Sequence, residues 1–104
     1  LTGEPNYSNY ETLEDTYVLK IKYTTLESLY AKYHSLEYLG RRIVEVYYAA
    51  FMKMTFDILF LSAEERYSLF VKTHADLLNR VPLKYIASYL GISPETLSRL
   101  RSKH

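Results

Sequence analysis

The chain has 104 residues, room for one compact domain or two very small ones. Hydrophobic residues make up 48% of it, which excludes global disorder, and the absence of cysteine excludes a disulfide framework or a thiolate metal site. The net charge of +1 is spread unevenly: from Pro82 onward four bases face one acid, whereas the residues before it hold nine bases and eleven acids. A polyanion is therefore expected at the C-terminal end.

Leu1 to Asn9 carries Gly3, Pro5 and two asparagines and reads as loop. It lacks the basic start and apolar run of a signal peptide. Because the chain opens without methionine in a polar turn-like stretch, it reads as a fragment or a processed product. Tyr10 to Leu13 is a weak strand candidate. Tyr17 to Tyr23 is a better one, alternating Tyr17, Leu19, Ile21 and Tyr23 with Val18, Lys20 and Lys22. With Glu14-Asp15 between them, the two predict a small antiparallel hairpin, which needs other elements to stabilise it.

Thr24 or Thr25 is expected to cap a short helix running to about Tyr33. His34-Ser35 breaks the pattern, and Ser35 is expected to cap a long helix from Leu36 to Phe60. Leu36, Leu39, Ile43, Val46 and Ala50 follow the 3-4 spacing of a coiled-coil seam, and Tyr47, Phe51, Met54 and Ile58 add a second stripe. Such a helix must be covered on more than one side. It is either the central helix of a monomer or, the favoured reading, a dimerisation helix using Leu36, Leu39, Ile43, Val46, Tyr47, Ala50 and Met54. Its apolar run from Ile43 to Leu61 holds Glu45, Lys53 and Asp57, which argues against a membrane span.

Ser62-Ala63-Glu64-Glu65 is a capping box that starts a new helix to about Thr73, burying Tyr67, Phe70 and Val71. A short helical turn is expected from Ala75 to Leu78. Pro82 suits the first turn of a further helix. Gly91 ends that helix, Ser93 caps the next and Pro94 takes its first position. Ala87 lies where the two helices cross, and Ile86, Leu90, Ile92, Leu97 and Leu100 converge as one apolar core. The spacing Ala87, Gly91, Leu97 is that of a helix-turn-helix.

With Leu97 and Leu100 inward, Glu95, Thr96, Arg99 and, less squarely, Ser98 turn outward. Arg99 can donate two hydrogen bonds to guanine O6 and N7, and Glu95 can accept from cytosine N4. Ser93, Thr96, Lys84 and Lys103 are candidates for phosphate contacts. The DNA-binding set is thus Ser93, Glu95, Thr96, Ser98, Arg99, Lys84 and Lys103. The alternative is a structural hairpin with an ordinary Glu95-Arg99 ion pair, in a non-enzymatic protein-interaction module. An enzyme is not expected: His34, His74 and His104 are scattered, each reads as a surface histidine, and none has a partner at triad or metal-site spacing.

The stretch Ile92-Ser93-Pro94-Glu95-Thr96-Leu97-Ser98-Arg99 resembles the recognition-helix entry of the Crp/Fnr family of bacterial transcription regulators. That family usually shows Ser-Arg-Glu-Thr-Val/Leu-x-Arg there; Pro94 stands where it often has arginine. The resemblance implies that Glu95 and Arg99 read bases while Ser93 and Thr96 touch phosphate. It extends upstream: Asn9 to Tyr23 is similar to the last strands of the cyclic-nucleotide-type β-roll, Thr24 to Tyr33 to the helix after it, and Leu36 to Phe60 to the dimerisation helix. It implies a mainly α (α+β) chain: a β-roll remnant over 1–34, a dimerisation helix over 35–61 and a wingless helix-turn-helix domain over 62–104. It further implies a cytoplasmic, homodimeric regulator of double-stranded DNA. The roll's cyclic-phosphate-binding Arg-Ser pair is replaced by Asn6-Tyr7, so cyclic-nucleotide binding is not expected, no other effector is identified, and no cofactor or metal is expected.

Overall fold

The computed structural model describes residues 3–103. Leu1, Thr2 and His104 lie outside them, and with them the start of the expected loop and the third of the histidines. The protein is mainly α. Its helices are α1 (Tyr23–Lys32), α2 (His34–Phe60), α3 (Ala63–Thr73), α4 (Leu83–Leu90) and α5 (Pro94–Lys103), with a 3-10 turn at Ala75–Asn79 between α3 and α4.

The expected hairpin is not formed: among the described residues there is no strand. Tyr17 and Leu19 project fully into solvent, so the alternation between 17 and 23 has no layer to face. Two extended segments without a third element to cover them gain too little to pair stably. The segment is instead tied by side chains to residues 66 and 74 positions later in the chain. Glu14 pairs with Arg80, and the Tyr85 hydroxyl donates to Glu11 Oε2 at 3.3 Å.

Helix starts follow local hydrogen bonding. α1 begins two or three residues early, after Lys22, whose carbonyl accepts from the Leu26 amide at 3.0 Å; neither Thr24 nor Thr25 caps it. The break between α1 and α2 is a single extended residue, Tyr33. Its amide donates to Leu29 O at 2.8 Å, and its carbonyl accepts from the amides of Leu36 at 3.1 Å and Glu37 at 3.2 Å. Ser35 therefore lies inside the first turn of α2 rather than capping it. The capping box of α3 is complete, with Ser62 Oγ accepting from the Glu65 amide at 3.2 Å and Glu65 Oε2 from the Ser62 amide at 2.7 Å. Pro82 precedes α4 as its N-cap, one residue before the expected place.

Among the described residues the buried core belongs entirely to α3, α4 and α5. It consists of Tyr67, Phe70, Ile86, Ala87, Leu90, Leu97 and Leu100, with Val71, Leu77, Leu78, Val81 and Ile92 packed against it. His74 is half-buried rather than a surface histidine; its ring stacks on Phe70 with centroids 5.4 Å apart. α1 lies along α2, where the ring of Tyr30 crosses Gly40: a Cβ there would come within 2.6 Å of the tyrosine hydroxyl. α2 itself buries no residue. At 1.5 Å per residue it is about 40 Å long, and the radius of gyration is 17.8 Å, against about 13 Å for a compact chain of this size. Among the described residues no helix is long and apolar enough to cross a membrane.

Arg66 joins the end of α2 to the core. Its Nε donates to Leu90 O at 2.8 Å and its Nη1 to Leu61 O at 2.5 Å and, at 3.4 Å, Ile58 O. One guanidinium thus satisfies carbonyls at the C-terminal ends of both α2 and α4, where helices lack intrahelical donors. Beside it an apolar groove of about 290 Å³ separates Ala50, Met54 and Ile58 of α2 from Leu69, Phe70 and Tyr89.

Candidate nucleic-acid interface

The turn between α4 and α5 fixes how α5 is presented. Gly91 adopts φ 66° and ψ 35°, a left-handed conformation that costs glycine no Cβ clash. Its amide donates to Ser88 O at 3.1 Å, and the Ile92 amide reaches back to Ala87 O at 3.0 Å. This pair of bonds closes the helix end and drives Ile92 onto the core. Ala87 is 1% exposed, so the two helices meet at a side chain with nothing beyond Cβ. Ser93 then caps α5: its Oγ accepts from the Thr96 amide at 3.1 Å and its carbonyl from the Leu97 amide at 3.0 Å.

Leu97 and Leu100 are buried, which fixes the rotation of α5 about its axis. Glu95 and Arg99 are left exposed as the spacing predicts, but Ser98 is exposed as well and it is Thr96 that is half-buried. The Glu95-Arg99 ion pair does not form among the described residues. Arg99 Nη2 donates instead to Thr96 Oγ1 at 3.1 Å, and that hydroxyl lies 2.9 Å from Ser93 Oγ. The outer face of α5 therefore presents an unpaired carboxylate and an arginine held by a short hydroxyl chain. The helix N-terminus adds amides that suit an anion.

The two lysines stand differently. Lys84, at the start of α4, is exposed with its Nζ 4.9 Å from the Tyr85 ring centroid. Lys103 Nζ sits 3.4 Å from Glu64 Oε2 of α3. Both partners of that pair are more than half exposed or nearly so, and such pairs exchange readily with solvent or a phosphate. Arg101 and Ser102 are also exposed on α5.

Of the expected dimerisation residues, Leu39, Ile43, Val46, Tyr47 and Ala50 are exposed, and Tyr47 is 73% accessible. Leu36 and Met54 are half-buried, Met54 lining the groove toward α3. The apolar surface of α2 goes further than the seam: Tyr48, Phe51, Phe56, Leu59 and Phe60 are exposed as well. Among the described residues no group of three histidines or carboxylates stands close enough to hold a metal ion.

Arg66 was invisible to sequence reasoning. In the sequence it is one more charged residue following a capping box; its role appears only when the ends of α2 and α4 come together. Compared with family models, with curated proteins and with solved structures, the chain finds no match.

Proposed function

We propose that the chain is a sequence-specific, DNA-binding transcription regulator of Crp/Fnr type that acts as a dimer. In this reading α5 enters the major groove and α2 pairs with α2 of a second copy. The observation that carries it is the exposed face of α5, where a locked turn and two buried leucines turn Glu95, Ser98 and Arg99 to solvent beside a net positive charge. Arg99 reads guanine and Glu95 accepts from cytosine, while Ser93, Lys84 and Lys103 meet phosphates. The uncovered apolar face of α2 and the extended shape support a homodimer, and a dimer doubles the readout across two half-sites. Such a regulator works in the cytoplasm, as a non-enzyme without cofactor.

The test is selection of duplexes from a random pool, followed by titration at several salt concentrations. Affinity is expected to fall steeply with salt as phosphate contacts release counterions. Arg99→Ala is expected to cost about 1–3 kcal/mol of preference at one base pair with helical content unchanged. Unchanged affinity of Arg99→Ala for the selected duplex refutes the assignment of Arg99.

A second reading, a protein-interaction module working through α2 alone, is favoured by that same exposed helix face. Salt separates the two, because the module has no salt-dependent affinity for duplex.

A further inference from the structure

We propose that Thr96 is a positioning residue that sets the aim of Arg99, so that base preference at one position depends on a side chain that need not touch the base. This rests on the DNA-binding reading above and departs from the phosphate-contact role the sequence suggested for Thr96.

The geometry is a chain of three side chains on one face of α5, spaced three apart so that each lies over the next turn. At its root is Ser93, fixed by capping: its Oγ accepts from the Thr96 amide at 3.1 Å. Thr96 comes next, half-buried, its Oγ1 2.9 Å from Ser93 Oγ. At the tip Arg99 Nη2 donates to Thr96 Oγ1 at 3.1 Å. A threonine in a helix has few allowed χ1 wells, so its hydroxyl is a stiff anchor. An arginine tethered to a stiff anchor gives up less freedom on docking than one free in solvent.

Donor counting shows that the tether leaves the reading function intact. A guanidinium has five N–H groups, and one is used on Thr96. An Nη2 hydrogen belongs to only one of the guanidinium's two parallel pairs, so the four N–H groups that remain still include one such pair, enough for guanine O6 and N7. The two hydroxyls hold two protons, of which one lies between them in either sense of that bond. The other is left to point outward. Glu95 takes no part, so its carboxylate stays open to a base amino group instead of neutralising Arg99.

The experiment uses the full chain, the duplex selected from a random pool, and the same duplex with the base pair whose preference Arg99→Ala erases replaced. Two variants are compared with the parent: Thr96→Val, which keeps the shape and loses the hydroxyl, and Thr96→Ser, which keeps the hydroxyl. Thr96→Val is expected to lower discrimination between the two duplexes by about tenfold, part of what a full bidentate contact supplies, with the salt slope unchanged. In the free protein, ¹⁵N relaxation of Arg99 Nε is expected to show greater mobility in Thr96→Val, and Thr96→Ser is expected to restore most of both effects. Equal weakening on both duplexes with a salt slope smaller by about one makes Thr96 a phosphate ligand and overturns the proposal. So does an Arg99 Nε whose mobility is the same in parent and Thr96→Val. A parent chain without salt-dependent duplex affinity removes the DNA-binding reading and this proposal with it. The relaxation arm still reports then whether the side-chain bond exists, so the two failures are told apart.

Discussion

The C-terminal bundle of α3, α4 and α5 and the region before it are both rich in apolar residues, yet among the described residues only the bundle buries any. Leu97 is 1% exposed, whereas Phe60 at the end of α2 is 74% exposed. Apolar content does not separate the two; arrangement does. α4 and α5 each carry one apolar stripe, and with α3 they close three stripes on a common centre. α2 carries apolar residues around most of its circumference, and α1 with part of the bundle can cover only some of it. A helix apolar on most sides and covered on few exposes the kind of patch on which the proposed second copy would pack.

The sharpest way to break that contrast is a pair of truncations read by denaturant unfolding in dilute solution. Leu97→Ala removes a fully buried side chain from the middle of the bundle and is expected to cost about 2–5 kcal/mol, the transfer and cavity terms together. Tyr47→Ala, on the open face of α2, is expected to cost less than about 0.5 kcal/mol under the same conditions. At high protein concentration the second variant is expected to lose what association adds, seen as a weaker dimer by sedimentation equilibrium. If Tyr47→Ala instead destabilises the dilute monomer as Leu97→Ala does, α2 is a core helix and the contrast fails.

Arg66 tests whether the two regions are one unit. Arg66→Met keeps the apolar stem and removes the donors to Leu90 O and Leu61 O. Hydrogen bonds made by a charged donor are worth about 1.5–3 kcal/mol, and a loss in that range is expected by denaturant unfolding. Hydrogen exchange should quicken in the last turn of α2 and at the end of α4 while the amides around Leu97 keep their protection. Faster exchange confined to α3 alone would show that Arg66 does not couple α2 to the bundle.

The bundle was largely legible because its determinants are local. The capping box at Ser62, the Ser93-Pro94 helix start and the glycine stop at Gly91 each act within a few residues, and the 3-4 pattern of Leu97 and Leu100 sets which face of α5 is exposed. The hairpin failed for the opposite reason. Alternation between 17 and 23 states a preference for extended backbone, but a strand exists only against a partner, and none of the described residues supplies one. Arg66 reaching Leu90 and Glu14 reaching Arg80 lie far apart in sequence, so no spacing rule could pair them. The bond from Arg99 to Thr96 was not legible because a helix offers Arg99 both an i−4 neighbour, Glu95, and an i−3 neighbour, Thr96, and spacing alone does not choose between them.

The smallest expected effect concerns acid, and it bears on how the extended segment before α1 is held. Three carboxylates lie below their ordinary pKa: Glu14 through its hydrogen bond and charge attraction to Arg80, Glu45 chiefly through its hydrogen bond to Arg41, and Glu65 chiefly through the Ser62 backbone amide of the capping box. A carboxyl whose pKa is lowered by folding stabilises the fold fully above its unfolded value, and that contribution is lost as pH falls through the folded value. All three therefore act in one direction, with stability falling below about pH 4. They differ in what they hold. Glu65 begins α3 and Glu45 lies within α2, whereas Glu14 joins an extended segment to Arg80 across 66 positions of sequence. Acidification is accordingly expected to release the segment around Glu14 from Arg80 while the core around Leu97 stays packed. The Arg80 Nε resonance and the amides of 11–15 should titrate together, ahead of any change at Leu97. In Glu14→Gln that step should be lost from the amides of 11–15 and shrink at Arg80, whose Nη1 keeps Asp76 Oδ2 at 3.3 Å, and salt should weaken it in the parent because both partners are exposed. Simultaneous titration of the Leu97 amide would mean that the segment and the bundle unfold as one, and the division between the two regions would then be wrong at this end of the molecule.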